Sequence, residues 1–556
     1  MMDNVSIYCK NNEAFVDVPM GSSLLEIYLS LKTRLARRPL AAFVDNRSQS
    51  LNYRCYGPKT IEFVGYDSPA GRRTYVRSLC HILSKAVNDV LPGVALRIEH
   101  PVSKGYYCAL DGKTKVKAFT AGRILRRMRR IVADDLPFVE RRALTEMAVE
   151  LFLSRGMDDK ARLARTAGRL YTSYHELDGY INSFYGSLAP STGYISTFGL
   201  EPYFDGLLLR VPSGADPSRL EPVVKQDKIY GAYKESLKLL KALGVQNAGD
   251  LNAAIAEGRS REIIMVAEAM QEKQIARIAS KIAAGYKNGL RIVLISGPSS
   301  SGKTTFAKRL GIQLITNLYH PRSLSLDDYF LPRSATPRDL SGDYDYESLY
   351  ALDLEYFRSD LGRLLRGEEI SLPSYNFATG LREYKPGNKL QISPGSLLII
   401  EGIHALNPDL TANVAARQKF GVYVSALTAI SLDNHNWIPT ADNRLLRRIV
   451  RDYRFRNCSP AATIARWPSV RRGEERWIYP CQESADAMFN SAMLYELAAL
   501  RRFADPILAE VREDQPENAE ARRLIRFLRY FNHISDAELP GASLLREFLG
   551  GGSFKY

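Results

Sequence analysis

Gly297-Pro298-Ser299-Ser300-Ser301-Gly302-Lys303-Thr304 decides the fold of the C-terminal half of this 556-residue chain. The apolar run Ile292–Ile295 precedes this stretch, and residues 305–310 have the pattern of a helix start. A strand, the pattern G-x-x-x-x-G-K-[ST] and a helix together predict a phosphate-binding loop, because the glycines let successive backbone N–H groups face one point. The helix N-terminus adds partial positive charge there. Lys303 is expected to reach the β- and γ-phosphates of a nucleoside triphosphate, and the Thr304 hydroxyl to ligate Mg²⁺.

The length and charge of the chain limit its class. A chain of 556 residues is too long for one hydrophobic core, which predicts roughly three or four domains. Its 76 Lys and Arg residues exceed its 61 Asp and Glu residues, so the formal net charge is +15. This excess favours anionic partners such as nucleotides or RNA, although a solvated basic surface explains it equally well.

Neither the cysteines nor the first residues indicate secretion. Six cysteines are scattered without a C-x-x-C pair, which argues against a disulfide framework or a thiolate zinc site. The first residues lack the basic-then-apolar pattern of a signal peptide, and no apolar run approaches the roughly 18 residues of a membrane span. We therefore expect a cytoplasmic protein without membrane contact.

Residues 1–65 contain short segments that alternate between apolar and polar positions, at 5–8, 14–18 and 41–45, and a helical pattern at 23–29. Strands of period two around one helix predict a small mixed sheet. This order resembles the β-grasp TGS module at the front of threonyl-tRNA synthetases.

An amphipathic helix pattern at 73–87, followed by two strand-like segments, gives residues 66–225 a resemblance to the editing domain of threonyl- and alanyl-tRNA synthetases. There the helix carries H-x-x-x-H, which places two imidazoles one turn apart for a metal. Here the pair is His81 and Lys85, and an ammonium cannot ligate a metal at neutral pH. The partner motif C-x-x-x-H is also missing around His175. We therefore expect a degenerate metal site, a partly buried His81 and loss of hydrolytic editing.

A basic run lies inside this second region. Its members are Arg123, Arg126, Arg127, Arg129 and Arg130. A solvated helix face is one interpretation of the run. A strip that binds RNA is the other, because the surrounding region resembles a module that handles tRNA.

Short motifs downstream of the phosphate loop place acidic and basic side chains near it. Residues 323–325 predict a strand that ends at Asp327-Asp328, and residues 396–400 predict a buried strand that ends at Glu401. Carboxylates at the carboxyl ends of parallel strands face the crevice where α/β sheets bind ligands. The remaining motifs are Asp343-Tyr344-Asp345, Pro373-Ser374-Tyr375-Asn376-Phe377 and an arginine-rich helix pattern from Asp442 to Asp452.

Together these motifs resemble the uridine kinase/phosphoribulokinase family over residues 288–510. The whole chain resembles bacterial fusions of a threonyl-tRNA-synthetase-like N-terminal region to a uridine-kinase-like domain. We therefore predict a multidomain α/β and α+β protein whose kinase domain has a parallel sheet flanked by helices. The predicted divisions are a TGS-like β-grasp domain (1–65), an editing-like domain (66–225), a helical connector (226–287), the kinase domain (288–510) and a C-terminal helical extension (511–556).

The resemblance implies catalytic roles for three residues and a place for magnesium. Asp327 matches the general base that accepts the proton of the acceptor hydroxyl. Lys303 and Arg451 are the other catalytic residues that it implies, with Arg451 as a lid arginine on the transferring phosphoryl group. Thr304 and Glu401 are implied for the metal, and the implied cofactors are ATP and Mg²⁺.

The resemblance also implies two sets of binding residues. Asp345, Tyr375 and Arg448 match positions that hold the ribose of an acceptor. The nucleotide-binding residues implied are Gly297, Pro298, Ser299, Ser300, Ser301, Gly302, Lys303, Thr304, Thr305 and the second lid arginine, Arg456.

Two departures from the family concern recognition of the base. Gly380 stands where nucleoside kinases of the family carry a histidine that contacts the base, and Cys458 stands where they carry an arginine. Losing two charge-assisted contacts would weaken pyrimidine recognition by about 10²–10⁴-fold. His404 and Trp437 are the candidates to replace them.

We therefore predict an ATP- and Mg²⁺-dependent kinase that phosphorylates a small-molecule hydroxyl, with the 5′-OH of a nucleoside as the first choice of acceptor. Two alternatives stay open: a kinase of another sugar or polyol, and a regulatory ATPase linked to RNA through the N-terminal region. A homo-oligomer is expected. The acceptor and the preferred triphosphate do not follow from the sequence.

Overall fold

The computed structural model describes residues 4–31, 33, 35, 37–111, 116–339, 342–377 and 379–555. Its first sheet confirms the small mixed sheet predicted for the N-terminus. The elements are β1 Asn4–Cys9, β2 Ala14–Pro19, α1 Leu24–Leu31, β3 Ala41–Val44, β4 Arg47–Gln49 and β5 Lys59–Val64. The strand order is β2-β1-β5-β3-β4, in which β1 and β5 are parallel. Leu24 and Ile27 of α1 are buried with the inward residues of β1 and β5, so the alternating pattern encloses one small core.

The next region contains two further sheets packed with helices. Its elements are α2 Pro69–Val90, β6 Leu96–Val102, β7 Gly105–Leu110, α3 Ala118–Ala133, β8 Val139–Leu144, α4 Thr145–Ser154, α5 Asp158–Thr166, β9 Tyr171–Leu177, β10 Tyr180–Asn182, β11 Gly199–Tyr203 and β12 Gly206–Arg210. One sheet has the order β10-β9-β8 and the other β11-β12-β7-β6. Ser68 caps the N-terminus of the long helix α2, because its side chain accepts a hydrogen bond from the Gly71 N–H.

His81 lies inside α2 and is fully buried, so the expectation of a partly buried residue is wrong. Its ring lies 5.4–5.6 Å from the rings of Phe138 and Phe184. Burial lowers the pKa of His81 well below its usual range, which keeps the imidazole neutral. Lys85, one turn later, forms ion pairs with Asp89 at 3.5 Å and Asp178 at 3.2 Å.

Three helices, α6 Asp227–Leu243, α7 Ala248–Ala256 and α8 Ser260–Tyr286, follow this region. Their apolar residues Leu240, Ile264 and Ile278 belong to the same buried cluster as the central strands of the next sheet. The helical segment therefore packs directly onto that sheet. Within the part of the chain that the structure describes, no helix has both the length and the apolar character that crossing a membrane requires.

The phosphate loop follows the central strand of a sheet of five parallel strands. The strands of this part of the chain are β13 Ile292–Ser296, β14 His320–Ser325, β15 Ile370–Asn376, β16 Leu381–Leu390, β17 Ser396–Glu401, β18 Lys419–Ser425 and β19 Ala487–Asn490. The helices are α9 Lys303–Thr316, α10 Leu354–Leu365, α11 Thr440–Arg456, α12 Pro460–Gly473, α13 Glu496–Ala509, α14 Asn518–Leu528 and α15 Arg546–Leu549. The parallel order is β14-β17-β13-β18-β19, and β15 and β16 form a separate antiparallel hairpin.

Both faces of the parallel sheet are covered. Val293 and Ile295 of β13 belong to one buried cluster, and Ile292 and Leu294 of the same strand belong to another. Strands buried on two faces have nearly continuous apolar sequences, which explains the runs 292–295 and 397–400. The predicted fold class, a parallel sheet flanked by helices behind mixed α+β regions, is confirmed.

Candidate active site

The phosphate loop connects β13 to α9 through backbone conformations that favour glycine. Gly297 has φ +157°, and a Cβ atom there would lie 2.0 Å from the carbonyl oxygen of Val424. Gly302 has φ +84°, and a Cβ atom there would lie 2.6 Å from a methyl carbon of Leu544. Ser300, at φ +57°, adds a left-handed residue between them. This sequence of conformations curls the loop at the N-terminus of α9, where the first N–H groups of a helix have no partner within the helix and attract anions.

Thr304 and Glu401 meet below this loop. The Thr304 hydroxyl donates to Oε1 of Glu401 at 3.3 Å, and the Ser325 hydroxyl donates to the same oxygen at 3.3 Å. Parallel pairing explains the encounter, because Glu401 is in register with Ile295 of β13 and with Ser325 of β14. Burial raises the pKa of Glu401, and the charge of Asp327 raises it further. A hydroxyl and a carboxylate at this position fit a hard cation that also takes phosphate and water oxygens.

Asp327 lies where β14 ends, and its side chain is exposed. Its backbone N–H donates to the Ser325 hydroxyl at 3.4 Å, which fixes the turn after the strand. The charge of Asp327 contributes to the raised pKa of both Glu401 and Glu347. The Asp327 carboxylate therefore lies close enough to Glu401 and Glu347 for its charge to affect both carboxyl groups. Its neighbour Asp328 instead accepts a hydrogen bond from the Tyr375 N–H at 3.3 Å.

Lys303 begins α9, and its ammonium donates to the carbonyl oxygen of Pro298 at 3.1 Å. The lysine therefore folds back over the loop that precedes it. Its charge acts on the carboxyls of Glu401 and Glu347, and in both it opposes the rise in pKa caused by burial. The predicted lysine, hydroxyl and carboxylates thus come together at one edge of the sheet.

The arginines of α11 divide into two groups. Arg444 and Arg447 are fully buried and pair with Glu474 and Glu496, each with one N–O distance of 2.7 Å. They also donate to the carbonyl oxygens of Ser299 at 3.0 Å and Ser300 at 3.3 Å. They brace the phosphate loop from behind, which their spacing in the sequence alone does not reveal.

Arg448, Arg451 and Arg456 share the carboxylate of Asp452, at 3.2, 2.7 and 3.7 Å respectively. Arg448 also donates to the Ser299 hydroxyl at 2.9 Å. The structure thus places Arg448, predicted to hold the acceptor, against the phosphate loop, and it leaves Arg456 about half exposed. One carboxylate orients three arginines at the entrance to the site.

The residues predicted to hold the acceptor include Asp345, in the segment before α10, and Tyr375, in the β15–β16 hairpin. Oδ1 of Asp345 accepts from the Glu347 N–H at 3.2 Å. Tyr375 is buried, and its ring lies 5.5 Å from that of Phe330 and 5.0 Å from that of Phe377. These aromatic residues form one wall, on which a flat or apolar ligand face could pack.

Gly380 has φ +74°, and a Cβ atom there would lie 2.8 Å from Cβ and Nε of Arg333. Arg333 fills the place that a longer side chain at 380 would need. It donates to the Tyr346 hydroxyl at 3.2 Å and to the Phe377 carbonyl at 2.7 Å. No local pattern in the sequence indicates this contact, because Arg333 lies 47 residues before Gly380. Arg333 is therefore a candidate to contact the acceptor in place of a histidine.

The two replacements suggested from the sequence lie elsewhere. Trp437 packs against Tyr106 at a ring distance of 4.3 Å, in the core of the N-terminal region, so it does not contribute to the acceptor side. His404 is buried beside the backbone of Glu347 and Ser348, and burial lowers its pKa to about 4. Cys458 is half-buried, with its thiol 3.5 Å from the Thr463 hydroxyl. His404 and Cys458 therefore offer no charged donor to a base.

Glu347 lies close to the charged residues of this site, although no sequence motif predicts it. Its pKa is raised to about 7 by burial, with Arg448 and Lys303 opposing and Glu474 and Asp327 reinforcing the rise. Lys303 belongs to the phosphate loop, Arg448 to α11 and Asp327 to the end of β14, and Glu474 accepts a hydrogen bond from the Ser299 N–H of the loop at 3.2 Å. The only sequence signal was its place two residues after Asp345.

Comparison with known proteins agrees with this geometry. Residues 292–497 match the model of the Phosphoribulokinase / Uridine kinase family. Residues 292–497 form a domain of this family. The kinase-family domain is also 27% identical over 195 residues to the Uridine kinase of Halobacterium salinarum, covering 34% of this chain and 76% of that protein.

The N-terminal region matches a different class. The Threonine--tRNA ligase of Syntrophomonas wolfei is 25% identical over 178 residues, which is 32% of this chain and 28% of the ligase. The chain thus spans less than a third of the length of that ligase. Among solved structures, "Structure of a Possible Uridine Kinase from Bacillus stearothermophilus" aligns with 39% of this chain and 98% of its own at 19% identity, with a TM-score of 0.28. In this chain, a region similar to one part of a threonine--tRNA ligase precedes the kinase-family domain.

Proposed function

We propose that the chain is an ATP- and Mg²⁺-dependent kinase that phosphorylates a hydroxyl of a nucleoside or sugar. The observation that carries this proposal is the exposed carboxylate of Asp327 at the sheet edge that also carries the phosphate loop. A side chain turned away from that loop, or sealed off by packing, would have contradicted it. Instead, the charge of Asp327 acts on Glu401, the partner of Thr304. Uridine kinase similarity over residues 292–497 supports the same chemistry.

In the proposed reaction the acceptor hydroxyl lies between Asp327 and the γ-phosphoryl group of ATP. Its oxygen forms the new O–P bond, its proton passes to the Asp327 carboxylate, and the bond from γ-phosphorus to the bridging oxygen breaks to release ADP. The loop N–H groups and Lys303 hold the phosphates, and Arg451 meets the charge on the transferring group. Thr304 and Glu401 would hold magnesium, which neutralises phosphate charge when bound.

The first choice of acceptor is the 5′-OH of a nucleoside, and the second is a hydroxyl of another sugar or polyol. The closeness of Arg333 to Gly380 supports a sugar or polyol as the alternative acceptor. An arginine takes the place of the implied histidine there, and a guanidinium can donate to several kinds of oxygen. We expect ATP-dependent phosphorylation of at least one member of a panel of nucleosides, sugars and polyols. ADP release coupled to mass spectrometry of the product measures it. If RNA alone stimulates ATP hydrolysis and no small molecule is phosphorylated, the proposal is wrong.

A contact of the N-terminal region with RNA is a separate proposal. Arg123, Arg126, Arg129 and Arg130 project from α3 as exposed side chains, whereas Arg127 pairs with Asp89 at 2.8 Å. Exposed arginines on one helix can neutralise phosphates of a nucleic acid. The similarity to threonine--tRNA ligases supports RNA as the polyanion to test first.

Magnesium binding is expected to weaken as the pH falls. The pKa of Glu401 is raised to about 7, so below that pH a proton occupies the carboxyl and competes with the metal. We expect the Mg²⁺ affinity, measured by calorimetry with a non-hydrolysable ATP analogue, to fall up to about tenfold per pH unit below about pH 7. Glu401→Gln should bind weakly at every pH, without this inflection. An unchanged pH profile in that variant would remove Glu401 from the metal site.

A further inference from the structure

The C-terminal segment 543–549 lies directly on the phosphate loop. Oε2 of Glu547 accepts hydrogen bonds from both donors of Thr305, the backbone N–H at 3.1 Å and the hydroxyl at 2.5 Å. Leu544 covers Gly302, since a Cβ atom on that glycine would lie 2.6 Å from Leu544. Phe548 is fully buried, with the Arg447 guanidinium 5.0 Å from the centre of its ring. The last part of the chain thus contacts the loop at its glycine, its arginine brace and the first turn of α9.

The position of Glu547 matters because of what the first turn of α9 offers. The first N–H groups of a helix have no partner within it and attract anions. Thr305 belongs to this turn and follows Lys303 and Thr304, so its N–H is one of the donors that the start of α9 offers to an anion. A carboxylate is an anion with the same acceptor chemistry as a phosphate oxygen. Glu547 therefore holds donors that a nucleotide at this loop would use.

Burial anchors the backbone of the segment but leaves the Glu547 side chain free to exchange. Leu544, Leu545, Phe548 and Leu549 are all buried in the main cluster. Arg546 donates to the carbonyl oxygens of Asp536 at 2.8 Å and Leu539 at 2.7 Å. Glu547 is only partly buried, so its carboxylate can rotate away while the apolar residues stay in place.

We propose that Glu547 is an internal competitor for the anionic chain of the nucleotide, so that binding requires its carboxylate to leave the N–H and hydroxyl of Thr305. This inference rests on the proposed nucleotide site. The apparent affinity for the nucleotide then equals the intrinsic affinity multiplied by the fraction of molecules in which Glu547 is displaced. The C-terminal segment thereby sets the concentration of nucleotide at which the kinase-family domain fills.

The test compares the full-length wild type with Glu547→Gln and Glu547→Ala. Glutamine keeps the shape and removes the charge, and alanine removes both the charge and the acceptor. We expect MgATP and inorganic tripolyphosphate to bind about tenfold more tightly to Glu547→Gln than to the wild type, and Glu547→Ala to bind at least as tightly. Calorimetry measures both ligands. Glu510→Gln is the matched control, since Glu510 is an exposed glutamate near the C-terminus that contacts Tyr453, and its affinities should equal those of the wild type.

Hydrogen exchange on the wild type gives a second measurement that needs no variant. Tripolyphosphate is expected to speed exchange across 545–550, because the short helix α15 loses its tie to Thr305. Equal or weaker binding by both Glu547 variants overturns the inference and, if phosphoryl transfer is retained, leaves the proposed function intact. If neither the folded wild type nor the folded variants bind MgATP at millimolar concentration, the nucleotide site and the inference fall together.

Discussion

Replacing Asp327 by asparagine is expected to lower kcat for phosphoryl transfer by about 10²–10⁴-fold while MgATP still binds. Asparagine has the same shape but does not take the proton of the acceptor hydroxyl at neutral pH. In the proposed reaction the loop N–H groups and Lys303 hold the phosphates, and the substitution changes neither. The loss should therefore fall on kcat and leave the dissociation constant for ATP within about tenfold of the wild type.

Kinetics with the best acceptor from the panel and calorimetry with a non-hydrolysable analogue separate these two effects. Asp343→Asn is the matched control, because Asp343 is an exposed aspartate of the same domain to which the resemblance assigns no role of its own. A second consequence follows from charge. Since Asp327 contributes to the raised pKa of Glu401, its neutralisation should move the inflection in Mg²⁺ binding to lower pH. A kcat within about threefold of the wild type would show that Asp327 is not the base.

The phosphate loop could be predicted because its requirements are local. Gly297 and Gly302 are required by their positive φ angles and by atoms that a Cβ would meet. Lys303 and Thr304 are the first residues of the helix that follows. The alignment of Glu401 with this loop also followed from a simple rule, since parallel strands bring their carboxyl ends to one edge. Apolar runs and short motifs therefore sufficed to predict the parallel sheet and the meeting of Thr304 and Glu401 at its edge.

The sequence could not divide the arginines of α11 by role. Arg444 and Arg447 face Glu474 and Glu496, which lie 30 and 49 residues away, and nothing local shows that these partners reach them. A charged helix with no known partner is predicted to be exposed or catalytic, whereas burial with a paired carboxylate is a third outcome. The same limit explains Arg333, whose approach to Gly380 depends on how the hairpin folds back.

Trp437 was misplaced for a related reason. It belongs to the segment 431–437 between β18 and α11, which the sequence assigns to the kinase-family region. In the structure this segment enters the N-terminal region, where Asn434 accepts from the Ile98 N–H through its carbonyl at 2.8 Å. Docking of one region on another has no signature in local periodicity. The buried ion pair between Lys160 and Asp433 joins the two regions, and its contribution to stability can be measured.

Lys160→Met is expected to lower the free energy of unfolding by about 3–5 kcal/mol. Lys160 and Asp433 form an ion pair at 2.9 Å whose side chains are 1% and 0% exposed. Burial alone would raise the pKa of Asp433, but the charges of Lys160 and His435 and the hydrogen bonds from Lys160 and Asn436 together lower it, so the carboxylate stays ionised. Removing the ammonium leaves a buried charge without its counter-ion. The segment that leads into α11 then loses one of its contacts with the N-terminal region.

The carboxylate has further partners that a careful design must keep. Asp433 also accepts from the Tyr185 hydroxyl at 3.0 Å and from the Asn436 side chain at 2.8 Å. Replacing it by alanine would leave these donors unpaired as well, so Asp433→Asn is the better second change. In the double variant Lys160→Met with Asp433→Asn the buried charge is gone. We expect it to recover part of the stability lost by Lys160→Met alone.

Lys225→Met supplies the matched control, because Lys225 pairs with Asp227 at a similar distance of 3.2 Å but both side chains are about two-thirds exposed. An exposed pair should contribute no more than about 1 kcal/mol. Urea unfolding followed by circular dichroism and by tryptophan emission compares the three variants, and Trp437 lies in the docked segment itself. If Lys160→Met unfolds at the same urea concentration as Lys225→Met, the contact between the two regions does not depend on this pair. If it unfolds earlier and the double variant recovers, the unpaired carboxylate is the cause, and the arginine helix of the kinase-family domain is held in place from the N-terminal region.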